Sequence, residues 1–200
     1  MTGRGLFLRW AIACGMSWMI LGCGDAEADT ARSGNFTISA GESVGSIELA
    51  DTKEIIEAKL GSPSMEDAAM RRLEESWKLP SPHGNGIWLS VLFIRDVSGL
   101  RYLTEELRVS SPRFRTADGI STQSSLGEIE QHYGKLPRTS FETGNGSIIL
   151  LDARERGIAF EMDSNGKCVA ILVHRPGKEA SLMTSVKRPD PVSHGGENSI

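Results

Sequence analysis

A chain of 200 residues, 39% hydrophobic, can form one ordinary domain or two very small ones. Its net charge of −4 disfavours nucleic-acid phosphates and anionic headgroups as partners, because both call for clustered Lys and Arg, and Arg113/Arg115 and Lys187/Arg188 are only pairs. Outside the N-terminal region only Cys168 remains, and one thiol cannot form an internal disulfide.

The N-terminal region has the three parts of a secretory signal: Arg4 and Arg9, an apolar stretch from Trp10 to Leu21, and the small residue Gly22. That stretch is about a dozen residues, against the ~20 needed to span hydrocarbon. Ile20-Leu21-Gly22-Cys23 resembles the lipobox of bacterial lipoproteins. The resemblance implies that residues 1–22 are removed and that Cys23 is acylated, making lipid the membrane anchor. By the family's sorting rule, Gly24 in place of Asp after the Cys implies the periplasmic face of the outer membrane.

Residues 23–35 lack the apolar side chains needed to offset ordering entropy and are expected to form a flexible tether. Residues 177–200, with Pro189, Pro191 and Gly195-Gly196, are expected to form a disordered tail. Between them the chain reads as two units, 36–112 and 113–176, closed by Pro112 and Pro176. Residues 47–61 overlay 120–134, so that Ile47 meets Ile120, Ile56 meets Ile129, Leu60 meets Tyr133 and Gly61 meets Gly134. Each copy predicts a short helix. Asp51 with Glu54, and Ser125 with Glu128, have capping-box spacing, while Ile56/Leu60 and Ile129/Tyr133 give a buried stripe. Gly61 and Gly134 end the helices, with Pro63 and Pro137 just beyond.

In the first unit Ala69, Met70, Leu73 and Trp77 predict a second amphipathic helix across residues 65–78, with Ser64 and Asp67 as its cap. Asn85-Gly86 before the run 87–94 is matched with Asn145-Gly146 before 148–151. Further strands are predicted at 100–103, 105–109, 158–162 and 168–174, with Asp163-Ser164-Asn165-Gly166 as a hairpin turn. The fold class is therefore α+β: two tandem repeats, each with a short helix or helices on an antiparallel meander. This order resembles the BamE/SmpA-type lipoproteins and the tandem-repeat β-lactamase inhibitor protein. The residues carrying the likeness are Ile47, Ile56, Leu60, Gly61, Pro63, Ile120, Ser125, Ile129, Tyr133, Gly134 and Pro137. In those families the work is binding other proteins.

No catalytic arrangement stands out. His83, His132, His174 and His194 lack metal-ligand spacing, and no cofactor or metal is expected. Gly84-Asn85-Gly86 and Gly144-Asn145-Gly146 lead into strands, which is turn chemistry rather than a phosphate cradle. Cys168 reads as a small buried side chain in a strand. Asp152, Arg154, Glu155 and Arg156 read as a charged hairpin tip. Trp77, Trp88, Arg154 and Arg156 are the candidate contact residues, since Trp and Arg are enriched at interface anchors, with core filling as the plain account of both Trp. The expected function is a non-enzymatic, lipid-anchored envelope protein that binds an unidentified envelope protein. The alternative is a small-ligand module with a pocket between the two repeats.

Overall fold

A computed structural model describes residues 35–79, 87–143 and 146–181. The signal segment, Cys23, most of the tether, His83, residues 84–86 and 144–145 of the expected Gly-Asn-Gly turns and residues 182–200 lie outside the described residues, as does the side chain of Trp88.

The fold is mostly β with two helices, an α+β architecture. A small sheet is formed by β1 (Thr37–Ser39), β2 (Ser43–Val44), β3 (Ile47–Glu48) and β8 (Arg115–Thr116), in the order β3-β2-β1-β8. A large antiparallel sheet follows from two runs of the chain. Helix α1 (Lys53–Leu60) leads into β4 (Met65–Ala69), β5 (Arg72–Leu79), β6 (Ile87–Arg95) and β7 (Tyr102–Val109). Helix α2 (Leu126–Tyr133) leads into β9 (Arg138–Thr143), β10 (Gly146–Ala153), β11 (Ile158–Met162) and β12 (Cys168–His174). The eight strands lie in the order β4-β5-β6-β7-β12-β11-β10-β9. The last strands of the two runs therefore meet at a central seam, where Leu107 faces Val173 and Val109 faces Ile171.

One face of this sheet makes the core. Leu73, Trp77, Leu89, Val91, Phe93, Leu107, Phe160, Ile171 and Val173 pack with Ile56 of α1, Ile129 of α2, and Ile38, Val44 and Ile47 of the small sheet. Alternation along each strand delivers these residues to one side. Each helix is tied at its start to the sheet: Thr52 bridges Leu103, and Ser125 bridges Lys167. The small sheet is pinned at Gly157, whose backbone has a φ of 68° and accepts a bond from Gly41 N–H at 3.0 Å. A Cβ on Gly157 would collide with His174 O and the Gly41 backbone, so the close approach needs glycine.

Several expectations need correction. Residues 65–78 do not form a second helix but the β4–β5 hairpin, turning at Met70-Arg71 with Met70 at φ 56°. A spacing of four, as between Leu73 and Trp77, suits one face of a helix and one face of a strand equally. Glu75 lies between them on that core face, opposite Val91, and ion-pairs with Lys53 of α1. Residues 100–103 and 105–109 are not two strands, since one strand, β7, begins at Tyr102. Thr52, not Asp51, is the N-cap of α1, and it makes no side-chain cap bond. Asp51 instead accepts from Glu48 N–H and Lys59. The Ser125–Glu128 capping box forms as expected. The matched Asn-Gly turns precede β6 and β10, the third and second strands after their helices, so they are not equivalent. Four strands of two or three residues and β9 were not foreseen.

Candidate functional site

The second face of the large sheet carries polar side chains that are nevertheless buried. From β5 come Glu74 and Ser76, from β6 Ser90, from β7 Glu106 and Arg108, from β11 Glu161 and from β12 His174. Register places them together: Ser76 faces Ser90, Ser90 faces Arg108, and Glu106 faces His174 across the seam. Arg108 makes a two-pronged bond to Glu161, Nε to Oε1 at 2.8 Å and Nη2 to Oε2 at 2.7 Å. Ser76 and Ser90 share a hydroxyl bond of 2.7 Å. His174 has both ring nitrogens 3.1 Å from an oxygen, Nε2 from Asp152 Oδ1 and Nδ1 from Arg175 O.

Residues 177–181, expected to belong to a disordered tail, instead run against this face. Ala180 N–H donates to Asp152 Oδ2 at 3.1 Å, and Ser181 N–H donates to Glu106 Oε2 at 2.8 Å. Arg154 fastens the segment by donating to Gly177 O and pairing with Glu179. Ala180 packs beside Leu150, Ala159 and Leu172.

Glu106 is the buried carboxylate of this face that borders a cavity. It is 1% exposed, and its Oε1 has no hydrogen-bond partner. Burial pushes its carboxyl up to about 8, and the nearby charge of Glu161 adds to the rise, while the Ser181 amide and Arg72 oppose it. A cavity of about 200 Å³ opens beside it, walled by Arg72, Leu92, Ile94, His174 and Ser181, with Glu105, Lys178 and Glu179 completing the lining. Arg72 donates to Ser181 Oγ at 3.3 Å across one side. Because Ser181 N–H occupies Oε2, a protonated Glu106 carries its hydrogen on Oε1. An ionised one leaves an unneutralised charge there.

The residues singled out from sequence are not brought together here. Trp77 is 2% exposed, fills the core, and donates from Nε1 to Gly61 O at 2.8 Å, so it is not a contact residue. Arg154 braces the C-terminal segment. Arg156 lies over the Tyr133 ring and donates to His132 O, bracing α2. Cys168 is buried, and burial pushes its thiol up to about 12. Among the described residues no helix is long and apolar enough to cross a membrane. Glu106, Arg72 and Ser181 were not singled out. A glutamate alternating with apolar neighbours reads as solvent-facing until the neighbouring strands are known.

No family model matches the chain, and no curated protein matches it. It is similar to an extracellular protein containing a SCP domain from Bacillus anthracis, at 10% identity and a TM-score of 0.41, over 64% of this chain and 44% of that one. A DUF4309 family protein from Bacillus subtilis gives 13% identity and a TM-score of 0.42, over 74% of this chain and 91% of that one. A cysteine-rich secretory protein from Staphylococcus aureus gives 11% and 0.41, over 63% of this chain and 44% of that one. The chain thus spans under half the length of the first and third. Likenesses this distant say nothing about activity.

Proposed function

We propose that this protein is a non-enzymatic binding module of the cell envelope, lipid-anchored through Cys23 at the periplasmic face of the outer membrane. In this reading two tandem repeats are joined at the β7–β12 seam, and the seam cavity takes a small ligand bearing an ammonium group. The repeat reading is supported by the order helix-then-four-strands, found twice, and by the N-caps Thr52 and Ser125, 73 positions apart, each bridged to the region of its own fourth strand. The ligand reading rests on one observation: the unpartnered Oε1 of buried Glu106 beside a cavity of about 200 Å³. The charges of Glu161 and Asp152 act on that carboxyl against those of Arg72 and Arg108, and burial still holds it protonated near neutrality, so an entering cation relieves the site.

Cation binding requires ionised Glu106. Affinity then climbs roughly tenfold per pH unit below about 8 and levels off above it. Calorimetric titration of the Cys23→Ser chain with 1,4-diaminobutane at pH 6, 7 and 8 tests this. Binding that strengthens with pH and is lost in Glu106→Gln supports the reading. Absence of binding, or pH-independent binding that survives Glu106→Gln, refutes it.

A protein partner is the second reading, favoured by β4, an outer-edge strand with all five residues exposed. Such an edge can accept an added strand. In-cell cross-linking from Met65 that is abolished by Ala68→Pro would support it, and cross-linking indifferent to that change would not.

A further inference from the structure

Five large apolar side chains are exposed among the described residues, and the three most exposed lie at one end of the large sheet. Met70 is in the β4–β5 turn, and Val97 and Leu100 are in the β6–β7 turn; Met70 and Val97 are fully exposed and Leu100 is 85% exposed. Scattered singly they would need no explanation, but here they converge. Register brings them together: β5 and β6 pair Arg72 with Ile94, so the two turns are neighbours. Arg71 joins them, donating from Nη2 to Arg95 O at 2.9 Å and to Asp96 O.

We propose that these two turns form a tip that inserts Met70, Val97 and Leu100 into the surface of an anionic phospholipid bilayer, with Arg71, Arg95 and Arg101 meeting the headgroups. Three features select lipid over a protein partner. The apolar side chains stand on separate turns and protrude almost fully into solvent, and a bilayer fits itself around protruding groups. Much of the tip's backbone is also satisfied from within it, as suits an apolar boundary. Arg95 N–H bonds Arg71 O, Asp96 N–H bonds Arg101 O, and Gly99 N–H bonds Asp96 O. The Asp96 carboxylate accepts from Ser98 Oγ and Leu100 N–H. Finally, the tip is basic in an acidic chain. Its three arginines outnumber the one carboxylate of the two turns, Asp96, 3.5 Å from Arg101, and Glu54 of α1 also acts on Arg101. Arg95 is held against Tyr102, its guanidinium 4.9 Å from the ring centre, at the base of the turn. The three arginines come from sequence positions 71, 95 and 101, and only the fold makes them neighbours. This inference is independent of the seam cavity, and it gives a lipid-tethered body a preferred way up.

The test uses the full chain with Cys14→Ser and Cys23→Ser, so that no acyl group is attached. A polarity-sensitive fluorophore is placed at Val97→Cys or, as a control at the opposite end of the sheet, at Asn165→Cys. Vesicles of phosphatidylcholine with phosphatidylglycerol, doped with brominated lipid, should shift the position-97 emission to the blue and quench it, leaving position 165 unchanged. Pure phosphatidylcholine should give partitioning at least roughly tenfold weaker, because each basic residue near an anionic surface adds measurably to binding. Met70→Ser with Leu100→Ser, both exposed positions, should abolish the position-97 response. Equal quenching at both positions, no quenching at 97, or a response that survives both Ser substitutions overturns the proposal. So does a position-97 shift seen only with envelope proteins and never with vesicles, which would make the tip a protein contact.

Discussion

Replacing Glu106 by Gln tests the chemistry of the second sheet face directly. The carboxyl titrates near its ordinary 4.5 in the unfolded chain and at about 8 in the folded one. Between those values the folded state keeps a proton that the unfolded state has released. Stability therefore falls as pH rises, by about 1.4 kcal/mol per unit. Over the whole window the loss is of order 5 kcal/mol, a large part of the 5–15 kcal/mol that holds a typical domain together. Below the unfolded value the contribution is fully present, and above about 8 it is gone. Gln keeps the shape and can still accept from Ser181 N–H, but it does not titrate. Urea unfolding followed by Trp fluorescence at pH 5, 6.5 and 8 should show a steep decline for the wild type and a much shallower one for Glu106→Gln. The two should be similar at pH 5, and the variant the more stable at pH 8. Glu75, also raised chiefly by burial, supplies a residual slope of the same sign. Asp96, held down to about 2 chiefly by the Ser98 hydroxyl, matters only in stronger acid, where its sign is opposite. Parallel pH profiles for the two proteins would refute the reasoning.

Lys53→Met should cost about 3–5 kcal/mol in chemical denaturation, because it strands Glu75, 0% exposed and bonded to Lys53 Nζ at 2.5 Å. Adding Glu75→Leu, beside Leu73, Trp77 and Val91, should restore most of that loss. Ser125→Ala should cost about 1 kcal/mol through its capping box, while Thr52→Ala, where no cap bond exists, should cost only a few tenths by the same measurement. Trp77→Phe should lose about 1–3 kcal/mol of stability, since it removes the bond to Gly61 O and leaves a void in the core.

Local chemistry was legible wherever the chain alone decided the outcome. The capping box at Ser125, the positive-φ glycines Gly61 and Gly134 closing both helices, and strands 158–162 and 168–174 around their Asp163–Gly166 turn all follow from neighbours within a few residues. What failed was decided at a distance. Leu73 and Trp77 suit either period, and the hairpin prevails because Glu75, a polar residue on the buried face, finds Lys53 across the core. The small sheet escaped notice because two- and three-residue strands show no alternation. It exists through cross-chain pairings such as Thr37 with Arg115.

The candidate site was hidden for a related reason. In β7 Glu106 and Arg108 alternate with Leu107 and Val109, the pattern of a sheet with one wet face. Here the polar face is covered too, and its charges are matched between strands more than fifty positions apart, as Arg108 is with Glu161. Burial of polar and ionisable groups on that second face is costly unless each finds a partner. Most do: Arg108 with Glu161, His174 with Asp152, and Ser76 with Ser90. Glu106 pairs through one oxygen and leaves the other facing a cavity, so the cost of its burial is only partly offset. Packing alone would favour an apolar residue at that point, beside Leu92 and Ile94. The carboxyl is therefore the feature of this face that packing does not explain, and the one that the proposed ligand would account for.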